Sequence, residues 1–483
     1  MTYNSVTSEV IAALDRAAPG RVVAGADVNP DYAKDEMPIY GSRMPEVSID
    51  VLSTEEVSAI MKVCYEHSIP VTTRGAGTGL VGGATPIFGG IVICTARMNR
   101  IINIDTDNFV MRVQAGALLK DVHEAALSRG LMYPPDPGEK LSTVGGNAST
   151  NAGGMRAIKY GTTKDYVRGM TVVLANGDVL ELGSGVAKSS TGYNMMQLIT
   201  GSEGTLGIIT ELVLKLVPAP KATISVMVPF EELEACVATV PKLFASSFRP
   251  TALEFFEKDI LVVSEEYIGR PLFPREIDGR PVGAYLMMIL DGDSADELDP
   301  IVENIMEFMF EEGAMEVLVA DTAPRIKDIW SARSSFLESL SKQYRLLDEN
   351  DVVVPVTKIV EYVAFFNELC KRFDFKAMYF GHAGDGNLHI YTVSNDMSED
   401  DFKQQVHEFM LAIYEKTYLM GGELSGEHEI GMGKAQYYED VVGIRNIELQ
   451  RGIKRAFDPK LILNPGKVCF KPEDMADAKN LCS

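Results

Sequence analysis

Two short runs far apart in the chain gather residues able to bind a metal ion: G-H-A-G-D-G-N-L-H from Gly381 to His389, and G-E-H-E-I-G-M-G-K from Gly426 to Lys434. His382, His389 and Glu427 can each donate a lone pair to one divalent cation. Three protein ligands leave coordination positions open for a substrate, which is how catalytic sites differ from closed structural ones. His428 stands beside Glu427 as a spare imidazole. The chain has six histidines in 483 residues and three of them fall in these runs, so ordinary core or surface histidines account poorly for the clustering. Two imidazoles and a carboxylate suit zinc, manganese or ferrous iron better than magnesium. The turn Gly384-Asp385-Gly386 is followed by alternation from Asn387 to Val393, which predicts a strand that would hold His389 rigidly.

Three glycine-rich segments lie in the first half. In R-G-A-G-T-G-L-V-G-G-A, Arg74 to Ala84, the spacing of Gly77, Gly79 and Gly82 satisfies G-x-G-x-x-G. A Rossmann fingerprint needs a helix next, and Pro86, Gly89 and Gly90 forbid one. Ile91 to Thr95 reads as a strand instead, so the loop must bind phosphate through its own N–H groups, as a nest. The second segment, Pro134 to Gly154, is small and polar where a core element would be apolar. The third, G-S-E-G-T-L-G-I-I-T-E from Gly201 to Glu211, runs into a strand over Ile208 to Val217. Three such segments in one region point to an extended ligand of dinucleotide type. A metallohydrolase would use the same histidines and carboxylate with water as nucleophile, but has no use for these loops.

The length predicts two or three domains, and 46% hydrophobic residues is that of an ordinary globular chain. A net charge of −23 repels polyanions, which excludes nucleic acid as the main partner. No apolar run reaches 18 residues, and the start has no basic segment followed by an apolar one, so a cytoplasmic location is expected. Cys64, Cys94, Cys236, Cys370, Cys469 and Cys482 form no C-x-x-C pair, which argues against an iron–sulfur cluster or zinc ribbon and fits a reducing compartment.

Around these motifs a short helix is expected from about Ser5 to Ala18, then a strand over Val47 to Leu52. Ser53 with Glu56 forms a capping box for a helix burying Val57, Ile60, Met61 and Cys64, and a strand follows over Ile69 to Thr73. Past Pro218 and Pro220 the texture changes to strands, such as Thr223 to Val228 and Ala284 to Leu290, alternating with acidic helices such as Asp296 to Glu312. A domain boundary near residue 220 follows. A helix around Ile326 to Leu340 carries Trp330, by default a core residue, and Arg333, by default a solvated charge.

In order along the chain, R-G-A-G-T-G-L-V-G-G, P-P-D-P-G, T-V-G-G-N-A-S-T-N-A-G-G, G-S-E-G-T-L-G-I-I-T-E, G-H-A-G-D-G-N-L-H, G-E-H and L-N-P-G-K (Leu463 to Lys467) closely resemble the FAD-linked oxidases of the vanillyl-alcohol oxidase / p-cresol methylhydroxylase superfamily. The resemblance is strongest to the branch of bacterial D-lactate dehydrogenases and glycolate oxidase D-subunits. It implies an α+β fold: an N-terminal lead-in over 1–39, a two-subdomain FAD-binding domain over 40–219, a cap domain with an antiparallel sheet and flanking helices over 220–425, and a segment over 426–483 that returns to the flavin. It implies that Arg74, Gly75, Ala76, Gly77, Thr78, Gly79 and Leu80 hold the FAD pyrophosphate. Pro135, Asp136, Thr143, Gly145, Gly146, Asn147, Thr150, Asn151, Gly153 and Gly154, together with Glu203, Gly207, Ile208 and Ile209, would surround the flavin, with Asn464 near it. Some relatives attach flavin through a histidine of the first loop; Arg74 to Ala84 has none, so non-covalent FAD is expected.

The implied reaction is oxidation of a 2-hydroxy acid. Arg333 would clamp the substrate carboxylate as a planar bidentate donor, with His382, His389 and Tyr391 lining the same site. The divalent metal on His382, His389 and Glu427 would lower the hydroxyl pKa, His428 would take its proton, and the hydride would go to the flavin. Members acting on hydroxyglutarate place polar residues where this chain has Leu337 and Tyr391, so a short apolar side chain such as that of lactate is expected; glycolate, D-2-hydroxyglutarate and a non-catalytic flavin relay are the alternatives. Relatives usually have glycine at the position of Glu429. With no second redox group encoded, electrons would leave to a partner such as an electron-transfer flavoprotein. Homo- and hetero-oligomers stay equally open.

Overall fold

The computed structural model describes residues 3–477, so Cys482 lies outside the described residues. The chain divides into two compact units: the first gathers the residues up to Ala152, Thr162–Ala219 and those from Glu427 on, and the second gathers Gly153–Gly161 and Pro220–Gly426.

The first unit contains a four-stranded and a five-stranded sheet. In the four-stranded sheet the order is Val22–Ala24, Val47–Asp50, Ile91–Cys94, Val71–Arg74, with the last three strands parallel. Helix Thr54–His67 links two of the parallel strands. Its first turn is held as the Ser53 and Glu56 spacing predicts, the Ser53 hydroxyl accepting from Glu56 N at 3.3 Å, although the Glu56 carboxylate accepts from Leu52 N rather than from Ser53. Val57, Ile60, Met61 and Cys64 of this helix are buried against Val47, Ile49, Ile91 and Ile93 in one core. From Gly75 to Gly90 there is no helix, as Pro86, Gly89 and Gly90 require. The five-stranded sheet is antiparallel, in the order Ile101–Asp105, Val110–Gln114, Ile208–Lys215, Val167–Val173, Val179–Gly183. The strand expected over Ile208 to Val217 ends at Lys215; Val217–Pro218 pairs separately with Leu131–Met132.

Two sequence expectations are corrected here. The polar stretch around Thr143 is not all loop: Val144–Thr150 is a helix, N-capped by the Thr143 hydroxyl, which accepts from Gly146 N at 3.2 Å. Its small residues permit close approach, since a Cβ on Gly145 would fall 2.5 Å from the Ala115 Cβ. In the second unit, the helix expected over Ile326 to Leu340 is broken at Ser335 into Ala323–Ser334 and Phe336–Gln343. The Ser335 hydroxyl donates to Ala332 O at 3.1 Å, while the Ser264 hydroxyl donates to the same carbonyl at 2.8 Å, so side chains take a carbonyl that a continuous helix would need.

The second unit is built on one seven-stranded antiparallel sheet in the order Leu318–Ala320, Ala222–Phe230, Ala284–Gly292, Ala252–Glu257, Lys376–His382, Asn387–Ser394, Leu346–Val353. On one face Phe256, Met378, Phe380, Tyr391 and Val393 form a core with Trp330, Phe336 and Leu340 of the two short helices. Trp330 is therefore core, and its indole N–H donates to the Ser225 hydroxyl at 2.8 Å. Because side chains alternate across a strand, the same face carries Glu254 and His382, which are register partners, and His389, the partner of Phe380.

The turn between the strands bearing His382 and His389 depends on Gly386. Its φ is +85°, and a Cβ there would lie 1.9 Å from the Val354 carbonyl oxygen. Gly386→Ala is expected to lower the unfolding free energy by about 1–3 kcal/mol or more, combining left-handed strain with a backbone clash, and thermal unfolding of the two proteins measures it; an unchanged melting temperature contradicts the assignment.

Candidate active site

In the second unit, Lys376–His382 and Asn387–Ser394 deliver their two histidines to one point. The His382 and His389 Nε2 atoms are 3.2 Å apart, and both residues are buried. Each ring has a carboxylate at its other nitrogen. Glu254 Oε1 lies 2.5 Å from His382 Nδ1, and Glu349 Oε1 lies 3.4 Å from His389 Nδ1, with both glutamates fully buried. The Glu254 carboxylate, at hydrogen-bonding distance, favours the proton on His382 Nδ1 and so leaves a lone pair on Nε2; Glu349 favours the same tautomer of His389 by electrostatic attraction, without a hydrogen bond. Two lone pairs facing each other at this separation suit a shared cation: bonds of about 2.1 Å meeting at a tetrahedral angle put the two nitrogens roughly 3.4 Å apart.

Arg333 joins this arrangement from the C-terminal end of helix Ala323–Ser334. It is not a solvated charge. Its Nε donates to Glu254 Oε2 at 2.8 Å, and its guanidinium stacks on Phe380 at 4.1 Å from the ring centroid. Among the described residues its hydrogen bonding goes through Nε, so the forked Nη groups are available to a carboxylate. Phe380 in turn lies against His389, ring centroids 4.8 Å apart, and stacks on Tyr391. The sheet thus brings together Arg333, His382, His389 and Tyr391. Leu337 packs half-buried against the same core. At the end of this unit Asp351, the register partner of His389, accepts from the Ser425 hydroxyl at 2.9 Å and from Gly426 N at 2.7 Å.

Glu427 and His428 open the last stretch of the first unit, with His428 Nε2 3.9 Å from Glu427 Oε2. The residues just beyond them are bonded to two glycine segments of that unit. Glu203 accepts from Ile430 N at 2.9 Å and Gly431 N at 2.8 Å, and Val81 O accepts from Met432 N and Gly433 N. Asn464 completes the convergence: its Nδ2 donates to Gly83 O at 3.0 Å and Glu203 O at 2.7 Å, while Oδ1 accepts from Lys467 Nζ at 2.6 Å. Lys467 Nζ also donates to Thr85 O. Gly201 N and Glu203 N donate to Ala148 O and Ser149 O, which ties the third segment to helix Val144–Thr150. A Cβ on Gly75 would meet the Thr143 hydroxyl at 2.2 Å, so the first and second segments touch as well.

This polar cluster has shifted titrations. Burial raises the Glu203 carboxyl, and burial with the neighbouring Glu203 and Asp35 charges raises Glu429 further. Burial pushes Asp35 up to about 6 and Lys467 down to about 7. Glu429 has φ +72° and points its carboxylate toward Gly79 and Gly83.

The first unit also fits a dinucleotide. Among the described residues, the N–H groups of Gly75, Ala76, Gly77, Thr78 and Gly79 donate to no protein acceptor, and Gly77 (φ +81°) has the Arg74 guanidinium where a Cβ would stand. Arg74 itself is buried and donates to Lys34 O at 2.7 Å. The buried hydroxyls of Thr73, Thr85, Thr200 and Ser202 and the Asn147 amide nitrogen have no protein partner among the described residues, which suits a ligand rich in phosphate, ribityl and ring acceptors. The other sequence candidates make the following contacts within the protein. Asp136 pairs with Lys140 at 2.5 Å and Pro135 O faces His123 Nε2. Asn151 accepts from Lys164 N, and the Thr150 hydroxyl turns back to Asn147 O. Gly207 packs on Val172, and Ile208 and Ile209 are buried strand residues. Gly153 and Gly154 are grouped with the second unit.

Sequence reasoning missed Glu254 and Glu349. Both occupy strand positions whose alternation faces the core, and an acid at such a position is the signal that could have found them.

Two family models match the chain: the FAD binding domain over residues 45–183, and the C-terminal domain of FAD linked oxidases over residues 219–468. A D-lactate dehydrogenase of Anaerostipes hadrus is 51% identical over 97% of this chain and 99% of its own length. The glycolate oxidase subunit GlcD of Bacillus subtilis is 37% identical over 95% of this chain and 94% of its own. Among solved structures, p-cresol methylhydroxylase with substrate bound matches with a TM-score of 0.77 at 18% identity, covering 98% of this chain and 99% of that one, a likeness of fold. With its glycine segments, its unpartnered buried donors and both family domains in order, the chain belongs to the FAD-linked oxidases and is an FAD-dependent oxidoreductase.

Proposed function

We propose that this protein is a metal- and FAD-dependent D-2-hydroxyacid dehydrogenase that oxidises D-lactate to pyruvate. The observation that carries the reading is the sheet face on which Arg333 stands beside the two facing imidazoles of His382 and His389. A 2-hydroxy acid needs a clamp for its carboxylate and a Lewis acid at its hydroxyl, and this face offers groups for both. The D-lactate dehydrogenase of Anaerostipes hadrus adds support at the level of substrate.

His382, His389 and Glu427 would hold the divalent ion, zinc, manganese or ferrous iron by the chemistry of the donor set. Glu427 is suited to the third position because it directly follows Gly426, whose N–H donates to the carboxylate of Asp351, the register partner of His389. When bound, FAD supplies a two-electron acceptor and the metal supplies a Lewis acid.

The chain's own residues do the rest. Arg333 binds the substrate carboxylate through its Nη groups and, by orienting it, fixes C2 and the hydroxyl. His428 takes the hydroxyl proton as the C2 hydride leaves. Leu337 and Tyr391 limit the substituent on C2: both belong to or pack on the apolar core around Phe380, which favours a methyl group over a second carboxylate. The two electrons then pass to an acceptor protein, for which an electron-transfer flavoprotein is the proposed partner on the strength of the family resemblance. Glycolate is the second reading, favoured by the likeness to the glycolate oxidase subunit.

Anaerobic mixing of the purified flavoprotein with D-lactate, L-lactate, glycolate and D-2-hydroxyglutarate in turn is expected to bleach the visible flavin band fastest with D-lactate. Prior chelation should slow that bleaching and added divalent metal restore it. Faster bleaching by glycolate transfers the reading to the second substrate, and insensitivity to metal removal refutes the Lewis-acid role. His428→Ala should retain FAD yet bleach about a hundredfold or more slowly, the usual size of acid–base assistance; a parental rate would remove His428 from the mechanism.

A further inference from the structure

We infer that Glu254 is a positioning residue that couples the metal-ligating His382 to the substrate clamp Arg333, one carboxylate oxygen serving each. The inference rests on the proposed roles of those two residues and adds a connection between them. Glu254 is fully buried in the middle of strand Ala252–Glu257, directly opposite His382 in the antiparallel register. Its Oε1 lies 2.5 Å from His382 Nδ1 and its Oε2 2.8 Å from Arg333 Nε.

A fully buried carboxylate persists only with partners that offset its lost hydration, and here each oxygen has a cationic or N–H partner. The consequence runs both ways. On one side, the carboxylate holds the His382 ring in the tautomer that points a lone pair at the metal position. On the other, it engages Arg333 by Nε alone, while Phe380 supports the guanidinium plane from beneath at 4.1 Å. The fork that would bind a carboxylate is thereby held in a fixed relation to the nitrogen that would hold the ion at the substrate hydroxyl. That relation is the spacing that distinguishes a 2-hydroxy acid from one with its hydroxyl elsewhere.

Glu349 provides the internal control. It stands 3.4 Å from His389 Nδ1 and is equally buried.

The test compares Glu254→Gln and Glu349→Gln in the FAD-loaded protein, with two readouts besides turnover. Retention of manganese or zinc on dialysis against a chelator is expected to weaken by about 10–100-fold in both variants, since each loses a partner that orients a ligand. Binding of propanoate, a carboxylate without the hydroxyl, to the metal-stripped flavoprotein is read from perturbation of the flavin spectrum. It is expected to weaken by roughly tenfold in Glu254→Gln and to stay parental in Glu349→Gln. Propanoate binding that is unchanged in Glu254→Gln, or equally weakened in both variants, overturns the coupling. Should Glu254→Gln lose FAD or melt early, Arg333→Lys answers the same question from the other end. It keeps the charge but removes the Nε–H, and is expected to lower metal retention several-fold although Arg333 is no ligand; unchanged retention overturns the inference. A parent protein that holds no divalent ion in the same dialysis overturns the proposed site itself, and is distinguished from failure of the coupling by that control.

Discussion

Charged groups inside a sheet must find partners, and in the second unit that requirement organises the site. Glu254, Glu349 and Asp351 are buried in strands of the same sheet, each at a position whose alternation turns it toward the face that also carries His382 and His389. Leaving any of them unpaired would cost several kcal/mol, so the strands can settle only in registers that bring histidine, arginine and backbone N–H groups to them. A slip of one residue would send the histidines to the opposite face and the carboxylates with them to wrong neighbours. The pairing that makes these acids tolerable is therefore the pairing that assembles Arg333, His382 and His389. Phe256, Phe380 and Tyr391, interleaved on that face, supply the apolar packing that keeps the polar residues from adapting to water.

The first unit meets a related requirement with backbone. Its glycine segments present N–H groups and buried hydroxyls rather than side-chain charge, and the charges it does bury hold the segments to one another. Glu203 and Asn464 each bridge parts of the chain more than 200 residues apart, from the first glycine segment to the stretch after Glu427 and to Leu463–Lys467. Burial raises Glu203 and Glu429 and lowers Lys467, which reduces the net charge that this interior must carry near neutral pH. Glu429 takes up a left-handed backbone that glycine adopts more easily, and its carboxylate lies over the loop where a smaller residue would leave space.

Much of this was legible in the sequence, because motifs that bind phosphate or metal constrain residue type and spacing locally. The glycine spacing with Pro86 ruled out a Rossmann helix, the alternation after Gly386 gave a strand, and the seven ordered motifs gave the family that the domain matches show. What escaped depends on distant contacts. The helix at Val144–Thr150 has Val144 as its one large apolar residue among glycine, asparagine, alanine, serine and threonine, and so has no hydrophobic period; it forms because Thr143 caps it and Ala115 admits its glycines. The break at Ser335 depends on a hydroxyl from Ser264, 71 residues away. Glu254 and Glu349 went unnoticed because their partners lie on other strands, and only the register reveals them. Arg333 was assigned its clamp role by resemblance, whereas its isolated reading as a solvated charge was wrong for the reason that Glu254 holds it.

We propose that the facing nitrogens of His382 and His389 share a divalent ion. Loading the protein with manganese and recording pulsed electron paramagnetic resonance tests it most directly, because directly bound imidazole nitrogens modulate the electron spin echo. The account predicts modulation from two imidazoles in the parent, reduced to one in His389→Ala. Manganese that binds with no nitrogen modulation, or with modulation unaltered by that substitution, would contradict it.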